Sequence, residues 1–182
     1  MRMLVPAPGY RKMKIPFLLL FLILPPTLPS NASLQDAIGL YEKGKFAQAA
    51  SVFQQLTAST PSNAEMWVWL SKSRLKARDW GKAVEALEKA VQLQPANAEY
   101  YLLLGRACGS RASHSNFLTA MGWARRVVKE FETARKLAPE DIEVRFDLLD
   151  YYLNAPGIVG GGREKAEAEA QAIAKLNPQK RY

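Results

Sequence analysis

Proline, alanine and aromatic residues recur at an interval of 34 residues through the middle of this chain, and that interval limits the possible folds more than any other feature. Pro61 and Pro95 are 34 apart, as are Ala49 and Ala83, Phe53 and Leu87, Phe46 and Trp80, Trp67 and Tyr101, and Leu70 and Leu104. Pro95 to Pro139 spans 44, ten more than the interval, and Pro139 to Pro178 spans 39, five more. A period of this length marks one supersecondary unit that buries its apolar face only by stacking on its neighbours. The chain reads as about four units, two in register and two with insertions.

The cleanest unit is 64–97, AEMWVWLSKSRLKARDWGKAVEALEKAVQLQPAN. Trp67, Leu70, Ser71 and Arg74 fall at three- and four-residue steps on a first helix, and Ala83, Leu87 and Ala90 do the same on a second. A short turn at 77–79 joins them, and Pro95 closes the unit. Large side chains facing small ones let two helices pack closely. Trp-x2-Leu-small, then Ala-x3-apolar-x2-Ala and Pro, resembles the tetratricopeptide (TPR) repeat. The resemblance implies an all-α solenoid of helical hairpins, about four repeats and eight helices, that acts as a binding scaffold.

The repeats are expected at about 33–63, 64–97, 98–139 and 140–178, with 179–182 as a tail. In the first, Leu34, Ala37, Ile38 and Tyr41 mark one helix, Gly44 ends it, and Phe46, Ala49, Phe53 and Leu56 mark the next. The third departs from the pattern at 109–123; Leu118, Met121 and Val128 predict a second helix starting near Asn116. The fourth carries Leu148, Leu149 and Tyr152, a loop at 156–162 whose three consecutive glycines cannot continue a helix cheaply, and a last helix through Ala166, Ala170, Ile173 and Leu176. The lengthened third repeat and the stretch YYLNAPGIVGGGREKA together resemble a group of small exported bacterial TPR proteins with an APGI-x-GG-type loop.

Residues 1–32 read as a secretory signal peptide: basic residues up to Lys14, an apolar run at 15–24, then prolines and small residues. At about 1.5 Å per residue, the run covers about half of a roughly 30 Å hydrocarbon core. Small residues at Ser30 and Ala32 predict cleavage after Ala32 and a mature chain in the periplasm or secreted, with Met13 as an alternative start and an inner-membrane anchor as the alternative fate. No contact with a membrane is expected beyond that segment. The formal charge is +8, but 1–32 holds four basic residues and no acid; the rest carries 21 basic and 17 acidic residues, or +4. That mild excess does not suggest a nucleic-acid partner.

Enzyme chemistry has little to stand on. The single cysteine, Cys108, and single histidine, His114, are six residues apart, but no orienting residue or oxyanion motif accompanies them. They predict a core thiol and a solvated loop imidazole, with no metal site and no cofactor. Gly161, Gly162 and Arg163 open the last helix and could cradle an anion; the competing reading is a glycine turn folding back on the stack.

The resemblance places the working surface on the first helices of successive repeats, which line a concave face that takes a peptide or a partner helix. By position that face holds Tyr41, Trp69, Lys72, Lys76, Leu102, Arg106, Phe146 and Asp150, with Glu65 and Glu99 close by. Where chaperone-binding relatives place basic and asparagine residues, this chain has Gln35, Trp69 and Leu103, which argues against a carboxylate clamp. Trp69 beside Lys72, Lys76 and Arg106 suggests an apolar anchor flanked by positive charge, or else a tryptophan packed within the stack. The expected function is a non-catalytic interaction scaffold. The alternative is a self-associating envelope protein whose array ends pair, since no polar capping helix follows the last repeat.

Overall fold

Each repeat unit becomes a pair of antiparallel helices, and the computed structural model describes them over residues 33–176. The expected leader at 1–32, its cleavage site and the tail at 179–182 lie outside the described residues. The helices are α1 (Leu34–Glu42), α2 (Phe46–Ser59), α3 (Ala64–Lys76), α4 (Trp80–Leu93), α5 (Ala98–Ser113), α6 (Phe117–Leu137), α7 (Ile142–Asn154) and α8 (Arg163–Leu176). Each packs on the next in chain order, and α3 also touches α5. Among the described residues all regular structure is helical, as the 34-residue period predicts, and Asn31–Tyr182 makes up one compact unit.

Local chemistry sets the helix ends. Asn63, Asn97 and Asp141 cap α3, α5 and α7, accepting bonds from the backbone N–H of Glu65, Glu99 and Glu143 at 3.1, 3.1 and 2.8 Å. Ser33 and Asp36 form a capping box on α1. At the other ends, Thr60, Gln94 and Ala138 each donate to the carbonyl four residues back, and a proline follows at once. Gly44 takes the left-handed conformation that closes α1 (φ 72°), as expected. Arg78, 34 residues on, does the same job at φ 63°, a conformation that disfavours a side chain.

The two insertions are handled differently. α5 and α6 have 16 and 21 residues against 13 and 14 for α3 and α4, so the ten extra residues become three of α5 and seven of α6. Both hairpins keep a three-residue connection. The five extra residues of the fourth repeat instead lengthen the 155–162 connection, which contains a 3-10 turn at Gly157–Val159. Asn116 caps α6, where the start was expected.

Alanines make the close approaches. Ala37, Ala49, Ala83, Ala90, Ala107 and Ala134 are wholly buried, beside Phe53, Leu87, Leu104 and Leu148. One sequence expectation fails in α8. The buried residues are Ala166, Glu169 and Ile173, whereas Ala170 faces solvent. Glu169 turns inward because two arginines meet it there: Arg135 of α6 and, at 2.7 Å, Arg145 of α7.

Candidate functional site: the concave face of the array

α1, α3, α5 and α7 line the inner face, and the side chains assigned to it from sequence divide between two concavities. The first, of about 410 Å³, lies between α3 and α5 and is lined by Asn63, Glu65, Val68, Trp69, Lys72 and Glu99, among others. Its symmetry follows from the repeat. Asn63 and Asn97 make the same cap, so Glu65 and Glu99 take equivalent places in the first turns of neighbouring helices. Neither carboxylate has a hydrogen bond or ion pair among the described residues, and after burial itself both raise the pKa of the buried Tyr100 hydroxyl.

Trp69 is half-buried at the edge of this concavity. Its ring stacks on Phe53 (5.7 Å between centroids, 6° between planes) and meets the edge of Tyr41 at 5.7 Å. Lys72 places its ammonium 5.2 Å from the ring centroid. One face of Trp69 therefore belongs to the packing of repeats 1 and 2, and the Lys72 side borders the concavity. Tyr41, braced by Phe46 at 5.3 Å, completes that aromatic cluster.

The second concavity, of about 360 Å³, lies between α5, α6 and α7, over Gly105, Gly109, Phe131 and Tyr151. Arg106 lines it and is fully engaged: its Nε donates to Asp147 Oδ2 at 2.6 Å and a terminal nitrogen donates to Glu143 at 2.7 Å. Those two carboxylates hold the guanidinium pKa well above its ordinary value. The structure does not bring Arg106 to Trp69; it ties repeat 3 to repeat 4. Asp150, on the same wall, accepts from Asn154 at 2.9 Å.

Lys76 is exposed at its end of α3, and Phe146 is half-buried. Leu102 is not a groove residue: it is 3% exposed and sits in the core. Val68, one repeat earlier, is 5% exposed and packs in the same apolar core. The anion cradle is also corrected. The N–H groups of Gly161 and Gly162 donate to Pro156 and Tyr152 carbonyls at 3.2 and 2.9 Å, and Arg163 pairs with Glu167 at 3.1 Å. A Cβ at Gly161 would collide with the Ala155 carbonyl oxygen, so the glycine is there to fit the turn.

Cys108 and His114 do not meet as a nucleophile pair. Cys108 is wholly buried, and burial pushes its thiol up to about 12. The His114 ring stacks on Trp80 at 3.7 Å and its Nδ1 faces the Ser110 carbonyl. Among the described residues no group of three or more His, Cys, Asp or Glu is placed to hold a metal. Sequence reasoning missed Asp147, which decides the fate of Arg106, because no residue spacing marks a contact made across two repeats.

Residues 40–107 match the family model of the tetratricopeptide repeat. Among curated proteins, the chain is similar to peroxisome biogenesis protein 5 of Arabidopsis thaliana, 27% identical over 142 residues; the match covers 63% of this chain and 19% of that one, so the chain spans about a fifth of this relative's length. Among solved structures, a thermophilic TPR protein of Thermus thermophilus superposes with a TM-score of 0.62 at 20% identity, covering 80% of this chain and 73% of the other. MamA of Desulfovibrio magneticus gives 0.60 at 20% identity, covering 81% and 75%. Repeat interval, eight-helix stack, the family model over residues 40–107 and the structural neighbours agree: the chain has the tetratricopeptide-repeat fold.

Proposed function

We propose that this protein is a non-catalytic interaction scaffold that holds an extended or helical segment of a partner protein against its concave face, at the α3–α5 concavity. The observation that carries this reading is the repeated, unpaired carboxylate pair Glu65 and Glu99 beside Trp69. Charges left without internal partners cost the fold nothing when a ligand engages them, and an aromatic at the border offers an apolar contact that stays favourable at any salt concentration. The cations near Trp69 in the sequence suggest an acidic or polar segment; Arg106 is neutralised and Lys72 lies on the tryptophan, so the carboxylates Glu65 and Glu99 carry the free charge here. The ligand segment accordingly brings a basic side chain next to an apolar one.

The test is capture from envelope extract by the Asn31–Tyr182 unit, compared with Glu65→Gln/Glu99→Gln. Both positions are exposed and the substitution removes charge without placing a cation in the first turn of a helix, so the variant should melt close to the parent. A partner held by the parent and lost by the variant at unchanged melting supports the groove. Equal capture by both would move binding elsewhere on the array.

We further propose that the chain is exported. Supporting this, the first described helix is capped by Ser33, whose backbone N–H and hydroxyl both donate to Asp36, at 3.1 and 2.7 Å. Cleavage after Ala32 would turn that N–H into an ammonium facing a carboxylate whose pKa those bonds already lower. N-terminal sequencing of the product outside the cytoplasm should begin at Ser33; an uncleaved, membrane-bound product would favour the anchor instead.

A further inference from the structure

The insertion in repeat 3 lengthens α5 and α6 beyond their counterparts, and the end of that lengthened hairpin is unlike the rest of the surface. Phe117 and Leu118, the first two residues of α6, are 76% and 79% exposed. Met121, Ala124 and Val128 follow Phe117 on one face of the helix at three- and four-residue steps. Lower down, that face is covered: the Tyr151 hydroxyl lies 2.7 Å from the Ala124 carbonyl, and Gly160 sits against Val128. Phe117 lies about two turns past this cover, so the apolar face continues where none of the described helices meets it. Ile158, 68% exposed on the 3-10 turn, and Leu153, 61% exposed near the end of α7, belong to the same end of the array.

Charge is sorted about this end as well. Residues 100–129 contain five arginines and lysines and no aspartate or glutamate; Arg106 and Arg126 are paired with carboxylates outside the stretch and Arg111 lies over Trp123, which leaves Arg125 and Lys129 exposed on α6. Leu118, Gly122, Arg125 and Lys129 form the outer stripe of α6. Arg125 sits seven residues behind Leu118, about 10 Å along the helix. Lys76 and Arg78 stand on the matching turn of repeat 2, and Arg163 and Lys165 at the start of α8. The acids at this end are fewer: Asp79, paired with Lys82, Glu164, Glu167, which Arg163 engages, and Asp150, bonded to Asn154.

We propose that this end of repeats 3 and 4 docks reversibly on an anionic membrane surface, with Phe117 and Leu118 in the headgroup–acyl boundary and Arg125 at the phosphates. Shape and charge select this occupant over a protein. A protein partner would need a pocket to receive a projecting helix tip, whereas a bilayer interface accepts apolar side chains to a depth of about 5–10 Å, with cations at the headgroups above them. The spacing of Leu118 and Arg125 matches that depth. The contact is separate from the groove and from the expected leader, since it uses neither.

The experiment uses the Asn31–Tyr182 unit with vesicles of three parts phosphatidylcholine to one part phosphatidylglycerol, and with phosphatidylcholine alone. Sedimentation should recover the protein with the anionic vesicles and much less with the neutral ones. Phe117→Ser/Leu118→Ser should lower partitioning roughly tenfold at any salt concentration, and Arg125→Glu should lower it chiefly at low salt. Because Cys108 is buried, Leu118→Cys can carry a polarity-sensitive dye alone. Its emission should shift to the blue on anionic vesicles, while the same dye at Ser62→Cys, on an exposed inter-repeat turn at the other end of the helices, should not shift. Unchanged melting curves verify the fold of each variant. Equal partitioning by parent and Phe117→Ser/Leu118→Ser, equal shifts at both dye positions, or no binding to anionic vesicles would each overturn the proposal; capture of an acidic protein in place of lipid would also overturn it.

Discussion

Gly105 and Ser71 stand 34 residues apart, at the same step of α5 and α3, yet they meet different neighbours. A Cβ at Gly105 would collide with the Phe131 ring, which α6 lays directly across α5. Ser71 is wholly buried, and its hydroxyl finds no partner. A buried hydroxyl without a hydrogen bond costs about 1–3 kcal/mol, whereas a methyl there would cost nothing comparable. Gly105→Ala should therefore destabilise by about 1–3 kcal/mol through overpacking, and Ser71→Ala should raise the melting temperature; thermal melts read both. Equal and small shifts would mean that the two helices do not cross as described. In the sequence, both are simply small residues at one step of the period. What distinguishes them is the size of the residue across the crossing, Phe131, which the period does not report.

Among the elements, the clearest lesson is what the chain does with extra residues. In repeat 3 the sequence has Leu118, Met121 and Val128 at helical steps, so the start of α6 was legible; that Leu118 would be exposed was not, because a helical period says which residues share a face and not whether anything covers it. In repeat 4 the glycines forbid a longer helix, and the residues go into the connection. The final helix is out by one position: Ala170 fits an apolar pattern as well as its neighbour, but Glu169 turns in because Arg135 and Arg145 approach from α6 and α7. The register of α4 is firmer. Ala83 is wholly buried, and the side chain of Lys82 reaches out so that its ammonium lies 3.5 Å from Asp79. Ala83→Leu should cost about 1–3 kcal/mol by overpacking the contact within repeat 2, and Lys82→Leu much less. Equal losses in a denaturant titration would place the helix about one residue out of register.

At the scale of the whole array, the described repeats are a line of hairpins in which each touches mainly the next, and the joints differ in chemistry from one end to the other. Repeats 1 and 2 are joined by an aromatic cluster, with Trp69 stacked on Phe53 and edge-on to Tyr41. Repeats 3 and 4 share an apolar core through Phe131, Val144 and Leu148 and add to it a set of charged and polar contacts: Arg106 to Asp147 and Glu143, Tyr152 to Glu132 at 2.8 Å, and Glu169 beneath its two arginines. In such an array stability is close to a sum of repeat and interface contributions, so damage should stay near the joint where it is made. Trp69→Ala removes a half-buried ring from the first joint, at a cost of roughly 3 kcal/mol. Glu169→Gln leaves two arginines facing a group that cannot balance their charge, and breaking a buried pair by removing one partner costs about 3–5 kcal/mol. The totals are comparable, so melting temperature alone would not separate the two variants; amide hydrogen exchange would. Trp69→Ala should speed exchange in α1 and α2 and leave α7 and α8 near their parent rates, and Glu169→Gln should do the reverse. Uniform acceleration along the chain in both variants would show that the four repeats open as a single cooperative block, and that the joint of repeats 3 and 4 is as tightly coupled to the rest as the aromatic one.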